Sequence, residues 1–252
     1  MPALAERLNR VSISASVIMT IKARELAAQG IKVISLASGE PDFPTPLHAI
    51  DAAHKAALAG DTKYPPQDGT KQLKEAIQRK FKRDNNLDYK PENILVSTGA
   101  KQSLANVVMA IVNKGDDVVI PTPYWVTYSE IVKLAEGKVT LVRTSIENKY
   151  KLTAEQLEAA LTPTTSLFLF SSPCNPSGSV YTKDELAALA GVFRKYPDVF
   201  IISDEIYEYI NFVGKHESIA QFEDLKDRII IINGLSKGYA MTGYRLGYIA
   251  AH

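Results

Sequence analysis

An α/β fold, with a mostly parallel sheet flanked by helices, is predicted by three features of this sequence. Apolar runs rich in branched residues recur at Ile94–Val96, Val118–Ile120, Val139–Val142, Leu167–Phe170, Val199–Ile202 and Ile229–Ile232. Between several of them lie segments with apolar residues three and four apart, the spacing of one helix face. The chain has 252 residues, enough to bury a substantial core under one such sheet.

In chain order, Ser14–Gly30 reads as a helix ending at its glycine, Val33–Leu36 as a short strand, and Gly39–Pro46 as a Pro-rich turn. Helices follow around Leu47–Ala59 and Thr70–Arg83, on either side of the polar loop Asp61–Gly69 with its Pro65–Pro66 break. Within the alternating core the helical segments are Gln102–Val112, Tyr124–Ala135, Thr153–Leu161 and Asp184–Arg194. Thr153 with Gln156 has the spacing of a capping box, in which each residue satisfies the other's free backbone amide. Tyr244–Ala251 reads as a last strand.

Composition narrows the function. Hydrophobic residues make up 46% and charged residues 23%, ordinary values for a globular protein. A net charge of +1 gives no broad field to attract nucleic acid or an anionic membrane, so any anion must be caught locally. One cysteine, Cys174, excludes an internal disulfide and a cysteine-based metal cluster, and no metal site is expected. The first 21 residues lack the apolar stretch of a signal peptide, and nothing approaches the length of a membrane span, so the cytoplasm is the expected compartment.

The polar residues that interrupt this pattern stand after strands. Asp204 ends an apolar run, with Tyr207 three residues beyond. Ser171 to Gly178 follows another run, with prolines and a glycine fixing Asn175 in a loop, and Ile229–Asn233 runs into Gly234-Leu235-Ser236-Lys237, with Arg245 further on. In open α/β sheets ligands gather at the carboxyl ends of strands, so these residues are expected at one edge. Thr98-Gly99-Ala100-Lys101, between a strand and a helix, offers free backbone N–H groups to an anion.

Asn-Pro-x-Gly, Asp-x-x-Tyr, Ser-Lys and Arg, in this order, resemble the fold-type I aminotransferases that use pyridoxal 5'-phosphate. More narrowly, Ser35 to Phe43, Thr62-Lys63-Tyr64, Thr98 to Gln102, Pro123-Tyr124-Trp125-Val126 and Ala240 to Tyr248 are similar to the bacterial and plastid branch of the aspartate aminotransferases. That branch includes prephenate aminotransferases.

The resemblance implies roles. Lys237 would carry the cofactor as an imine and then move the proton, and Asp204 would face its pyridine nitrogen. Tyr207 and Asn175 would bond the ring's phenolic oxygen, and Trp125 would lie against the ring. Gly99, Ala100, Lys101, Ser236 and Arg245 would hold the phosphate, joined by Tyr64 from a neighbouring subunit, which implies a homodimer with shared sites. The substrate would meet Gly39, Trp125 and Asn175, with its distal carboxylate at Lys101, Ser14 and Ser16.

Aspartate or glutamate would be the amino donor, and 2-oxoglutarate, oxaloacetate or prephenate the acceptor. Ser12 stands where some prephenate-accepting relatives have a basic residue, and Cys174 replaces a residue that is usually polar. A β-lyase using the same cofactor, a cofactor-binding sensor and a silent fragment are the alternatives. Residues 1–46 are expected as an N-terminal arm with part of a small domain, and 47–252 as the large cofactor-binding domain. The rest of the small domain, with the arginine that clamps the substrate α-carboxylate, would lie past His252. The 252 residues alone are therefore expected to turn over little or not at all.

Overall fold

The structure, a computed structural model, describes residues 4–36 and 39–252. Ala37 and Ser38, inside the motif at 35–43, lie outside the described residues.

Seven strands form one sheet: β1 (Ile94–Thr98), β2 (Asp117–Thr122), β3 (Lys138–Arg143), β4 (Thr165–Ser171), β5 (Phe200–Asp204), β6 (Ile229–Gly234) and β7 (Leu246–Ala250). Their spatial order is β1-β7-β6-β5-β4-β2-β3, with β7 antiparallel to both neighbours and the other pairings parallel. Strands β1 to β6 therefore all end at the same edge, and β7 starts there.

Branched, apolar strands suit this position because both faces are covered. Along β4, Leu167 and Leu169 pack on one side with α4 (Ala100–Ile111) and α5 (Thr127–Leu134). Phe168 and Phe170 pack on the other with α3 (Lys71–Lys80), α6 (Ala154–Ala160) and α7 (Lys183–Phe193). All four are essentially fully buried, and each contributes about 2 kcal/mol relative to exposure. The predicted capping box at Thr153 and Gln156 is present, and a second one links Thr182 and Glu185 at the start of α7.

Three sequence expectations need correction. Val33–Leu36 is not a strand: it has no ladder partner among the described residues, and Ile34 and Leu36 are 83% and 92% exposed. The helix expected over Thr70–Arg83 is α-helical only to Lys80. It then widens into a π turn over Phe81–Asn85 and is closed by Asn86 at φ 55°, a left-handed conformation that asparagine tolerates. The helix expected from Tyr124 begins only at Thr127, leaving Tyr124 and Trp125 in the loop after β2.

Ahead of the sheet lie α1 (Ala15–Ala28), followed by Gly30 at φ +80°, and α2 (Leu47–Leu58), which buries no residue. The N-terminal segment docks beside α5, where the Ser12 N–H donates to Glu130 at 2.6 Å and Arg10 pairs with Glu136 at 2.6 Å.

Candidate active site

The shared strand edge opens into a cavity of about 280 Å³. Most side chains around it arrive by the same route, a strand that ends and a tight connection that turns the next residues inward. Strand β5 delivers Asp204, β6 delivers Ser236 and Lys237, and β4 delivers Asn175. From β2 comes Trp125, from β1 Ala100 and Lys101, and Arg245 stands immediately before β7.

At the floor, Asp204 is buried, and its Oδ2 accepts from the Tyr128 hydroxyl at 2.6 Å while its Oδ1 accepts from the Ile206 N–H at 3.2 Å. Burial pushes this carboxyl up to about 6, against the two donors, and the neighbouring Glu205 charge adds to the rise. Such a carboxylate has an unmet demand for a positive partner on its cavity side. Tyr128, packed edge-to-face on Trp125 at 5.7 Å, is held protonated by its own burial and by Asp204, so it stays a donor.

Across the cavity, the Lys237 ammonium donates to the Gly39 carbonyl and lies 5.7 Å from the Tyr207 ring centre. Burial lowers its proton affinity, with Glu40 opposing. Burial and then Asp204 raise the Tyr207 hydroxyl, while Asn175 works the other way.

At the third wall, α4 starts with no side-chain cap, so its first N–H groups have no partner within the helix. Gly99 there adopts φ +84°, and a Cβ on it would run into the Arg245 guanidinium. Arg245 is itself left-handed at φ 53°, a conformation that costs on the order of 1 kcal/mol, and its Nη1 donates to the Thr242 carbonyl at 2.8 Å. Uncapped amides, a hydroxyl from Ser236 and this guanidinium converge on one end of the cavity.

A second opening, about 630 Å³, shares Trp125, Asn175, Tyr207 and Lys237 and is bounded by Ser16 and Gly39. Lys101 places its ammonium 5.0 Å from the Trp125 ring centre, and Ser14 and Ser16 bond each other at 2.8 Å. Gly39, expected to meet the substrate, here accepts from Lys237 through its carbonyl. Tyr64 is fully exposed and borders neither opening.

Sequence reasoning missed Tyr128, the Ile206 amide and Thr242. Tyr128 lies on an apolar helix face with Ile131 and Val132, where a tyrosine reads as core. Only the fold shows that its hydroxyl ends on Asp204.

A partly buried lysine and a buried carboxylate thus line one cavity at the carboxyl edge of a parallel sheet, with an anion cradle beside them. The chain belongs to the aminotransferase class I and II family, whose sequence pattern matches residues 31–252. Members of this family use pyridoxal 5'-phosphate. The chain is 49% identical to the aspartate/prephenate aminotransferase of Nitrosomonas europaea over 97% of its own length and 62% of that protein. It is also 49% identical to the aspartate aminotransferase of Bacillus subtilis, over 98% of this chain and 63% of the relative.

Among solved structures, the aspartate aminotransferase of Rhizobium meliloti superposes with a TM-score of 0.96 at 43% identity, covering all of this chain and 63% of that one. The Thermus thermophilus aspartate aminotransferase, solved with maleate, gives 0.96 at 40% identity over all of this chain and 65% of that one. The chain thus spans less than two thirds of the length of these relatives.

Proposed function

We propose that the protein exchanges an amino group between aspartate or glutamate and 2-oxoglutarate or oxaloacetate, using pyridoxal phosphate joined to Lys237. The observation that carries this reading is the single cavity that sets desolvated Lys237 against buried Asp204. When bound, the cofactor supplies an aldehyde that an amine can enter and a ring that accepts the electron pair released at the substrate Cα.

The fit to this group is chemical. Asp204, buried and short of a cation, suits the protonated ring nitrogen. Tyr207 and Asn175 offer donors that suit a phenolic oxygen, and Trp125 offers a flat apolar face. The amides of Ala100 and Lys101, the Ser236 hydroxyl and the Arg245 fork suit a phosphate, and Gly99 makes room for that fork. Lys237, once released by the incoming amine, holds and returns the proton at Cα. Residues 47–252 form the cofactor-binding domain on this reading, and residues 1–46 form the arm.

For the substrate we assign Gly39 and Asn175 to the α-carboxylate side and Lys101, Ser14 and Ser16 to a distal carboxylate, with Trp125 between them. The maleate of the Thermus protein, a short dicarboxylate, supports that choice. Tyr64, exposed here, is assigned to the phosphate of a second copy in a homodimer.

The test is conversion of aspartate and 2-oxoglutarate to oxaloacetate and glutamate by the full-length protein, with prephenate as a second acceptor. Release of pyruvate and ammonia with no keto acid added would instead make it a lyase.

A further inference from the structure

Strand β5 ends in Asp204 and is followed at once by a second acid, Glu205, and only the first reaches the cavity. Successive strand residues point to opposite faces. Ile202 packs on the α4 and α5 side and Ile201 on the other, so Asp204 falls on the side of Tyr128, and Ser203 and Glu205 fall on the far side.

Glu205 is fully buried and borders neither opening of the site. Its Oε1 accepts from Ser218 Oγ at 2.6 Å and Ser203 Oγ at 2.9 Å, and its Oε2 pairs with His216 Nε2 at 3.0 Å. Burial alone would raise the Glu205 carboxyl and lower the His216 imidazole, yet the partner charges and the hydrogen bonds together outweigh burial for each. Glu205 sits below its ordinary range and His216 above. Beside them lies a second buried pair, Lys80 with Glu208.

The sheet does not require this charge. The Glu205 N–H already completes the ladder by donating to the Ile232 carbonyl at 2.8 Å, and an apolar residue could fill the space without a desolvated ion pair. What the network does hold is the start of a turn. The Glu208 N–H donates to the Glu205 carbonyl at 3.0 Å, and between them lie the Ile206 amide that bonds Asp204 and the Tyr207 ring that lines the cavity.

We propose that Glu205, anchored by His216, Ser203 and Ser218, is a positioning residue that fixes the Asp204–Tyr207 turn from the far face of the sheet. Asp204 is thereby held between Tyr128 on one face and its anchored neighbour on the other. This rests on the cofactor reading above, since it assigns the turn the task of presenting Asp204 and Tyr207 to the ring.

The test uses the full chain titrated with pyridoxal phosphate. Glu205→Ala is expected to weaken cofactor affinity on the order of tenfold and to move the pH midpoint of the bound cofactor's visible band. Glu205→Gln keeps an acceptor for both serines and a hydrogen bond to His216, and it is expected to restore both readouts toward the parent. Should Glu205→Ala fail to fold, Ser218→Ala removes one anchor and is expected to shift both in the same direction by less. The proposal is overturned if the folded variants lower only thermal stability and leave affinity and midpoint unchanged. A parent that shows no visible band with added cofactor would overturn the cofactor reading as well, a result distinct from unmoved variants.

Discussion

The site has a floor of strand ends and their loops, which line the cavity, and a roof formed by the described residues of 14–45, which borders the second opening through Ser16, Leu36 and Gly39, and the two are held in different ways. Floor residues such as Asp204 and Ser236 follow strands whose side chains are fully buried, and their positions are set by the packed core. The roof carries exposed Ile34, Leu36 and Phe43 and, among the described residues, meets the floor through few bonds. These run from Lys237 to the Gly39 carbonyl, from Thr242 to Glu40 at 2.7 Å and from Thr45 to the Ala240 carbonyl at 2.7 Å. On the proposed reading, cofactor chemistry belongs to the packed floor, while the substrate contacts assigned to Ser14, Ser16 and Gly39 belong to an element of low packing density, the kind that opens locally at small free energy.

Substitutions in the floor should strike chemistry and those in the roof affinity. The largest effect is expected for Lys237→Ala, which removes both anchor and proton carrier. Steady-state assays should show a loss of ~10³-fold or more, with the thermal midpoint little changed.

Next comes Asp204→Asn, expected to reduce turnover on the order of 10²-fold. It also has a signed effect on the cofactor-free protein. Asp204 is raised from 3.8 to about 6 by burial, so the folded chain binds its proton more tightly than the unfolded chain. Its contribution to stability is present below the unfolded value and is lost as pH rises through about 6. Asp204→Asn should flatten the pH dependence of denaturant unfolding between those values and raise stability at neutral pH, by at most ~3 kcal/mol.

Tyr128→Phe, which strips one donor from the same carboxylate, should lower cofactor-free stability at neutral pH by about 1.5 kcal/mol in denaturant titrations. Smallest is Ser16→Ala in the roof. It should leave stability within about 0.5 kcal/mol while raising KM for aspartate more than it lowers kcat. A Ser16 variant that lost kcat as heavily as Asp204→Asn would erase the distinction between floor and roof.

The same division explains what could be read from the sequence. Branched apolar runs announce strands β1 to β6, and residues placed soon after β1, β2, β4, β5 and β6 reach the cavity as expected. Val33–Leu36 carries the same local signal, but a strand exists only with a partner, and none of the described residues pairs with it. Helix α5 starts late because Trp125, whose carbonyl accepts the Tyr128 N–H, stays in the loop after Pro123. The contact from Tyr128 to Asp204 spans 76 residues and that from Glu205 to His216 joins two sides of a loop, so neither leaves a periodic trace. Ser14, Ser16 and Tyr64 were legible only through resemblance, since their own neighbours carry no pattern that points to a site.

Lys237 opposite Asp204 is the centre of the account, and the absorbance spectrum of the full chain with pyridoxal phosphate addresses it most directly. The account predicts a visible band from lysine-bound cofactor that gives way to the amine form when aspartate is added and is absent in Lys237→Ala. A band of equal strength in Lys237→Ala, or a parent band that aspartate leaves unchanged, would contradict it.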